Sequence, residues 1–327
     1  MDCGFRVKFL GRYVCFADRG DETKRLLDLA RRGRSVPLVI YGPEGCGKTS
    51  LLRYLHKRLS GYYDYVIYYS PLYGPEEGLT APDDVKRAVM SLARAVGGEL
   101  ASAVAEAVLA IGEIFVRRLG VRRVDSLALL LDDVFQAVGN AELYVKKALN
   151  LAEHPPVEVG KISVILASSE GESLEAVGRH LWADVKTIWN LNKAGFRELV
   201  GQIPDAGQDA ERLWSAAGGN PRLVELLAGE GWSAERLVEK MYKVRDVDAQ
   251  LLAKYRKVVE EALADPDVLL DAPRELTRYL VSKNLVAKIV DPLAPIEGGK
   301  DLGVGKDYAW QTPLHRELVR LALRRTG

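Results

Sequence analysis

The chain has 327 residues, of which 48% are hydrophobic and 28% charged, and its formal net charge at neutral pH is +1. That length allows one to three domains with a sizeable core, and the composition excludes a disordered or fibrous chain. A net charge near zero provides no global field for nucleic acid or membrane, so any basic patch has to be local.

The amino-terminal segment lacks the sustained apolar stretch of a signal peptide. The longest apolar run outside strands, residues 101–116, is interrupted by Glu106, Gly112 and Glu113 and is too short and polar to cross a bilayer. A cytoplasmic protein without membrane contact is expected. Cys3, Cys15 and Cys46 are odd in number and scattered, which predicts no disulfide framework. Neither they nor His56, His154, His180 and His315 show metal-ligand spacing.

From the start, rough alternation over 5–16 predicts a short hairpin around Gly11. A turn and the acidic start Asp21-Glu22 lead into a helix with Leu26, Leu27, Leu29 and Ala30 as its buried stripe, closed by Gly33. Residues 36–41 form an apolar strand. They run into Gly42-Pro43-Glu44-Gly45-Cys46-Gly47-Lys48-Thr49, and Ser50 opens the helix that follows. This is G-x-x-x-x-G-K-[ST] between a strand and a helix, the setting a phosphate-binding loop needs. Its glycines permit backbone conformations closed to other residues, and its N–H groups with the helix dipole suit a polyphosphate. Lys48 is placed for the β- and γ-phosphates and Thr49 for Mg²⁺. Cys46 reads as a small packing residue in the loop.

Residues 62–69, rich in tyrosine, read as a second strand. A loop over 71–82, a helix from Asp83 to about 96, and a helix over 99–119 follow, with the basic cluster Arg117-Arg118 and Arg122-Arg123 beyond. Residues 125–133 are a continuous apolar run ending in Asp132-Asp133, the pattern of a strand buried on both faces of a parallel sheet. In P-loop enzymes such a terminal carboxylate holds Mg²⁺, a role that falls to Asp132, and Asp133 is placed to polarise the attacking water. A helix over 134–152 leads to another buried strand, 161–167, whose tip carries Ser168 and Ser169. Polar groups at the tip of a central strand face the ligand crevice of open α/β sheets, although serine also suits turns. A short helix is expected over 172–180 and a fifth strand over 184–189. Helices follow over 193–203, 206–217, 221–228, 233–242, 247–264 and 273–282. Strands over 284–290 and 308–311 and a final helix over 313–325 complete the chain.

These stretches together resemble the archaeal ATPases of the AAA+/STAND-related P-loop superfamily, kin to the origin-recognition initiator ATPases and the NB-ARC-type switch proteins. The resemblance is carried by four stretches. Phe16-Ala17-Asp18-Arg19-Gly20-Asp21-Glu22 is similar to F-x-x-R-x-x-E, and Gly42–Thr49 is the phosphate loop. Leu130-Leu131-Asp132-Asp133-Val134-Phe135-Gln136 is similar to a hydrophobic run followed by D-E-x-x-Q, and Gly218-Gly219-Asn220-Pro221-Arg222 is similar to G-G-x-P. The resemblance implies an α/β fold in which a P-loop NTPase parallel sheet is flanked by helices and has a strand inserted between those of the phosphate loop and Asp132. It implies a helical lid and a carboxy-terminal winged-helix module, with boundaries at 1–190, 191–245 and 246–327.

By the same resemblance Lys48 and Thr49 bind phosphate and Mg²⁺, and Asp132 helps hold the metal. The Arg19 region approaches base and ribose, Gly219 and Pro221 lie near the nucleotide, Arg222 is a sensor, and Ser168 or Ser169 is the first sensor. Arg179 and the basic cluster 117–123 are candidates for an arginine finger in a homo-oligomer. One departure matters: the second acid is Asp133 where the family has Glu, so a slow switch fits as well as an efficient ATPase. No N-K-x-D guanine-reading sequence occurs at Asn192-Lys193-Ala194-Gly195, which favours ATP and ADP. DNA or a protein client is the expected partner of the carboxy-terminal module. Residues 241–327 carry 15 Lys and Arg against 13 acidic residues, an excess of only 2.

Overall fold

The computed structural model describes residues 3–138, 140–169, 174, 177–178, 181–203 and 209–326. Most of the helix expected over 172–180 lies outside them, as does Arg179.

The chain opens on a hairpin of β1 (Arg6–Phe9) and β2 (Arg12–Cys15), followed by helix α1 (Gly20–Arg31). Strand β3 (Leu38–Tyr41) leads into α2 (Lys48–Leu59), and β4 (Tyr65–Tyr69) is followed by the two-residue β5 (Leu79–Thr80). Helices α3 (Asp83–Val96), α4 (Leu100–Leu109) and α5 (Ile111–Arg117) precede β6 (Arg123–Asp132). Then come α6 (Ala141–Glu153), β7 (Glu158–Ser168) and β8 (Asp184–Thr187). The six strands are ordered β5-β4-β6-β7-β3-β8, all parallel except β5, so β7 lies between the strands that end in the phosphate loop and in Asp132.

Strand β6 shows why the sheet is central. Leu127 to Leu131 are all fully buried. Alternation sends Leu127, Leu129 and Leu131 into a core with α3 to α6, and Ala128 and Leu130 into a core with α1 and α2. A continuous apolar run is therefore required, and this is what the sequence supplies.

The remaining helices are α7 (Lys193–Val200), α8 (Ala210–Ala217), α9 (Pro221–Gly229) and α10 (Ala234–Arg245), then α11 (Ala249–Lys254), α12 (Arg256–Ala264) and α13 (Arg274–Ser282). Strands β9 (Val286–Lys288) and β10 (Tyr308–Trp310) pair antiparallel, and α14 (Pro313–Arg324) ends the fold. One apolar cluster runs through these elements from Leu191 to Leu323 and takes in Phe9 and Val14 of the amino-terminal hairpin.

Several expectations need correction. Cys3 and Cys15 form a disulfide, and only Cys46 is free. The bond joins the first described residue to the end of the hairpin, a pairing made by chain reversal that counting cysteines does not reveal. The span 99–119 is two helices that meet at Ala110, and 247–264 is two helices that meet at Tyr255. After Asp133 the chain makes only a 3-10 turn, Val134–Gln136; the helix starts at Ala141, capped by Asn140 accepting from the Leu143 N–H. The loop expected over 71–82 contains a 3-10 turn, Pro71–Tyr73, and strand β5.

Candidate functional site

The phosphate loop sits at the carboxyl end of β3, and its glycines are required where they stand. Gly45 and Gly47 have φ of 75° and 100°, in the left-handed region. A Cβ on Gly42 would lie 1.9 Å from the Ile188 carbonyl oxygen, and one on Gly45 would lie 2.1 Å from Arg222 Cβ. Lys48, buried, donates from Nζ to the carbonyls of Gly42 and Pro43 at 3.0 and 2.8 Å. Thr49 and Ser50 open α2, both half-buried.

Arg19, in the region expected near base and ribose, directs its guanidinium to protein oxygens. Its side chain is buried behind the loop, where the guanidinium donates to Glu22 Oε1 and to the carbonyls of Cys46 and Trp189. It braces the loop and β8's exit against α1. Phe16 lies outside this clamp, in an aromatic group with Phe5 and Tyr54. That group lines a cavity of about 690 Å³ which shares Arg19 with the site but includes no phosphate-loop residue.

Asp132, fully buried at the end of β6, accepts from the Tyr68 hydroxyl on Oδ2 at 2.9 Å, and Oδ1 has no hydrogen-bond partner. Burial first, then the neighbouring charge of Asp133, push its carboxyl up to about 6, against the stabilising pull of Tyr68, Thr49 and Lys48. Asp133 takes the left-handed conformation (φ 48°), and its N–H donates to the Ala167 carbonyl. Burial raises its pKa as well, opposed by Lys48 and by Ser169, whose Oγ is 3.5 Å from Oδ1. Ser168, buried, ends β7 opposite Tyr41 in register. The structure thus brings Lys48, Thr49, Asp132, Asp133 and Ser169 to one end of the sheet. Among the described residues no group of three or more His, Cys, Asp or Glu side chains could hold a metal by itself. An unpaired Asp132 oxygen beside the Thr49 hydroxyl is nonetheless a hard-oxygen donor set of the kind Mg²⁺ accepts when phosphates supply further ligands.

The helices after β8 meet the loop through Asn220, the residue of Gly219-Asn220-Pro221-Arg222 to which the sequence assigns no part of its own. Asn220 is buried; its Nδ2 donates to the Glu44 carbonyl at 2.9 Å and to Asn190 Oδ1 at 2.8 Å, while its Oδ1 caps α9 by accepting from the Leu223 N–H. Gly219 approaches Leu191 so closely that a Cβ would lie 2.1 Å from its carbonyl oxygen. Pro221 is the first residue of α9, and the Arg222 N–H points at the Gly45 carbonyl. The Arg222 guanidinium is exposed and pairs with Glu225, so its backbone and the base of its side chain meet the loop and the charged end does not. Glu44 is also held from two further elements: its N–H donates to Gln311 Oε1 of the carboxy-terminal module at 3.2 Å, and Arg245 at the end of α10 pairs with its carboxylate at 3.3 Å. Asn190, Gln311 and Arg245 carry no local sequence signal; only Asn220 stands inside a recognisable stretch, G-G-x-P.

Residues 16–227 match the ATPase domain family found predominantly in Archaea. The chain belongs to that family. The match takes in the Arg19 clamp, the phosphate loop, the two aspartates and the lid through Leu227, and it leaves the carboxy-terminal module outside. No curated protein matches the chain in sequence. Among solved structures, the ORC2 protein of Aeropyrum pernix in ADPNP–ADP complexes is 15% identical over 94% of each chain, with a TM-score of 0.45. The ORC1 protein of Aeropyrum pernix in complex with DNA is 16% identical, covering 95% of this chain and 93% of its own, with a TM-score of 0.37. AMPPCP-bound DnaA from Aquifex aeolicus is 19% identical, covering 83% and 78%, with a TM-score of 0.38.

Proposed function

We propose that this archaeal-family ATPase binds ATP with Mg²⁺ and hydrolyses it slowly, as a switch or small motor in the cytoplasm. The observation that carries the proposal is the convergence of Lys48 and Thr49 with a buried Asp132 that keeps one oxygen unpaired. The loop N–H groups and the start of α2 cradle the phosphates. Lys48 exchanges the Gly42 and Pro43 carbonyls for the β- and γ-phosphate oxygens. Thr49 and Asp132 would hold the metal, which would supply neutralising charge to the phosphates. Asp133, steadied by Ser169, orients water for in-line attack on the γ-phosphate, and its side chain, one methylene shorter than Glu, makes the step slow. Positioning and electrostatics carry the catalysis.

The test is direct. Lys48→Ala is expected to abolish binding of a fluorescent ATP analogue. Asp132→Asn is expected to lower Mg²⁺-dependent phosphate release at least tenfold while nucleotide still binds. Phosphate release at the unsubstituted rate in both variants would reject the reading.

A second reading, an ADP-holding scaffold with negligible turnover, is favoured by Glu44, which ties lid and carboxy-terminal module to the loop at once. Chromatography of nucleotide released on denaturing the purified protein separates the two: retained ADP without measurable turnover selects the scaffold. DNA binding through the carboxy-terminal module rests on its exposed cations, and a mobility-shift titration at low salt decides it. Among the described residues no helix is long and apolar enough to cross a membrane.

A further inference from the structure

Strand β4 ends at Tyr69, in register with Leu131 of β6, and Tyr68 is in register with Leu130. Ser70 follows Tyr69 as Asp132 follows Leu131, so the two come side by side at the strand ends. Ser70 is itself extended, with φ −138° and ψ 116°. Alternation therefore turns its side chain to the same face as Tyr68. That face is the α2 side: Tyr68 packs in one apolar cluster with Leu130, Leu51, Leu52 and Leu55, and its hydroxyl reaches Asp132.

Ser70 is fully buried and its backbone is fixed on both sides. Its N–H donates to the Gly78 carbonyl at 3.1 Å, and its own carbonyl accepts from the Tyr73 N–H at 3.4 Å. Gly78 must be glycine for this closure, because a Cβ there would lie 2.0 Å from the Ser70 carbonyl oxygen. Yet Ser70 Oγ has no hydrogen-bond partner, and neither has the neighbouring Asp132 Oδ1. Buried hydroxyls normally find partners. Two unpaired oxygens at adjacent strand tips, beside Thr49, mark a place built for something polar to enter. Tyr68 is steadied from behind: the Arg53 guanidinium carbon lies 5.8 Å from its ring centre and 4.1 Å from that of Tyr73.

We propose that the end of β4 completes the metal-facing side of the site. Tyr68 fixes the Asp132 carboxylate so that Oδ1 is presented, and the Ser70 hydroxyl holds a water of the magnesium shell. Mg²⁺ keeps several waters when it binds through one or two carboxylates and phosphates, and groups that hold such waters and carboxylates tune its affinity. Tyr68 and Ser70 are positioning residues. The inference rests on the Mg²⁺–ATP reading of the same site.

The experiment titrates Mg²⁺ into the full chain with a fluorescent ATP analogue and reads binding, not turnover. Ser70→Ala and Tyr68→Phe are each expected to raise the Mg²⁺ concentration at half-effect about tenfold, at the low end of what such partners contribute. Nucleotide affinity in EDTA stays unchanged in both variants, and so does the metal-free melting temperature of Ser70→Ala; Tyr68→Phe, which takes the donor from buried Asp132, lowers that temperature without weakening nucleotide binding in EDTA. A Mg²⁺ midpoint within twofold of the unsubstituted protein in Ser70→Ala overturns the role of Ser70, and the same result in Tyr68→Phe overturns that of Tyr68. A lowered melting temperature with weaker binding in EDTA shows a purely structural role and overturns the proposal equally. If nucleotide binding by the unsubstituted protein ignores Mg²⁺, it is the reading of the whole site that fails.

Discussion

His315 shows how burial sets a single residue's chemistry. It lies in the first turn of α14, where Nδ1 meets Thr312 Oγ1 at 2.8 Å and Nε2 has no partner. Burial first, then the charge of Arg245, lower its pKa to about 3. A cation at a helix amino terminus is opposed by the helix dipole as well. In the unfolded chain the imidazole titrates near 6.5. Between those values the unfolded state holds a proton that the folded state does not, so stability is full above about pH 6.5 and falls as the pH drops toward 3. From pH 7 to pH 5 this one group removes about 2 kcal/mol. Urea unfolding at the two pH values is expected to show that much extra loss in the unsubstituted protein relative to His315→Gln, and equal losses would refute the assignment. That Lys48, Thr49 and Asp132 come together at one end of the sheet is legible from local spacing. Tyr68, Asn190 and Gln311 are not legible, because each acquires its role from a strand or turn far away in sequence. Arg19 is legible as a key residue, but nothing in its sequence neighbourhood shows that its guanidinium turns inward to three protein oxygens.

At the scale of elements, the sheet was readable because an apolar run as short and unbroken as 125–133 suits a strand buried on both faces, and the periodic helices were readable from their stripes. Where an element ends was less legible. The strand expected over 184–189 stops at Thr187: its partner β3 ends at Tyr41, whose carbonyl takes the last ladder bond from the Ile188 N–H, and Trp189 beyond offers its carbonyl to Arg19. The helix breaks at Ala110 and Tyr255 fall within helical periodicity and carry no glycine or proline at the junction itself. The junction of lid and phosphate loop depends on one short stretch. Asn220 caps α9 and bonds two groups across the interface, so Asn220→Ala removes a cap worth about 1 kcal/mol and leaves the Glu44 carbonyl and Asn190 without a donor. A combined loss of about 2–3 kcal/mol is expected in urea unfolding. Nucleotide affinity is expected to fall with it, because Glu44 lies within the loop that Asn220 holds. A stability change below about 0.5 kcal/mol, typical of surface substitutions, would show that the cap and its bridges are dispensable.

For the molecule as a whole, the question is whether the carboxy-terminal module is a passenger or part of the ATPase. The segment after β9 returns to the sheet and lies along the β8 edge. Thr187 donates its N–H to the Val290 carbonyl and accepts from the Leu293 N–H, both at 2.8 Å, and its hydroxyl accepts from the Val290 N–H. Asp291 pairs with Lys186 and Arg25, and the Lys186 ammonium also meets Asp184. Paired carboxylates hold Lys186 above its ordinary pKa despite burial. The exposed half of this ion-pair group contributes little in water. The decisive contact is apolar: Leu293, 3% exposed, sits in the same core as Leu26, Leu38 and Leu55. The carboxy-terminal module thus places a side chain in the core that supports the phosphate loop, and it covers an edge strand that would otherwise be open for pairing. Leu293→Ala is expected to cost about 2–5 kcal/mol, as other buried leucine truncations do. Because the module and the ATPase core share contacts at Glu44, Thr187 and Leu293, both should unfold together. Tryptophan emission, which includes Trp189 beside the loop and Trp310 in the module, and far-ultraviolet circular dichroism should therefore report one shifted transition. An unchanged midpoint, or a tryptophan transition that separates from the helical one, would make the module an independent domain resting on the ATPase.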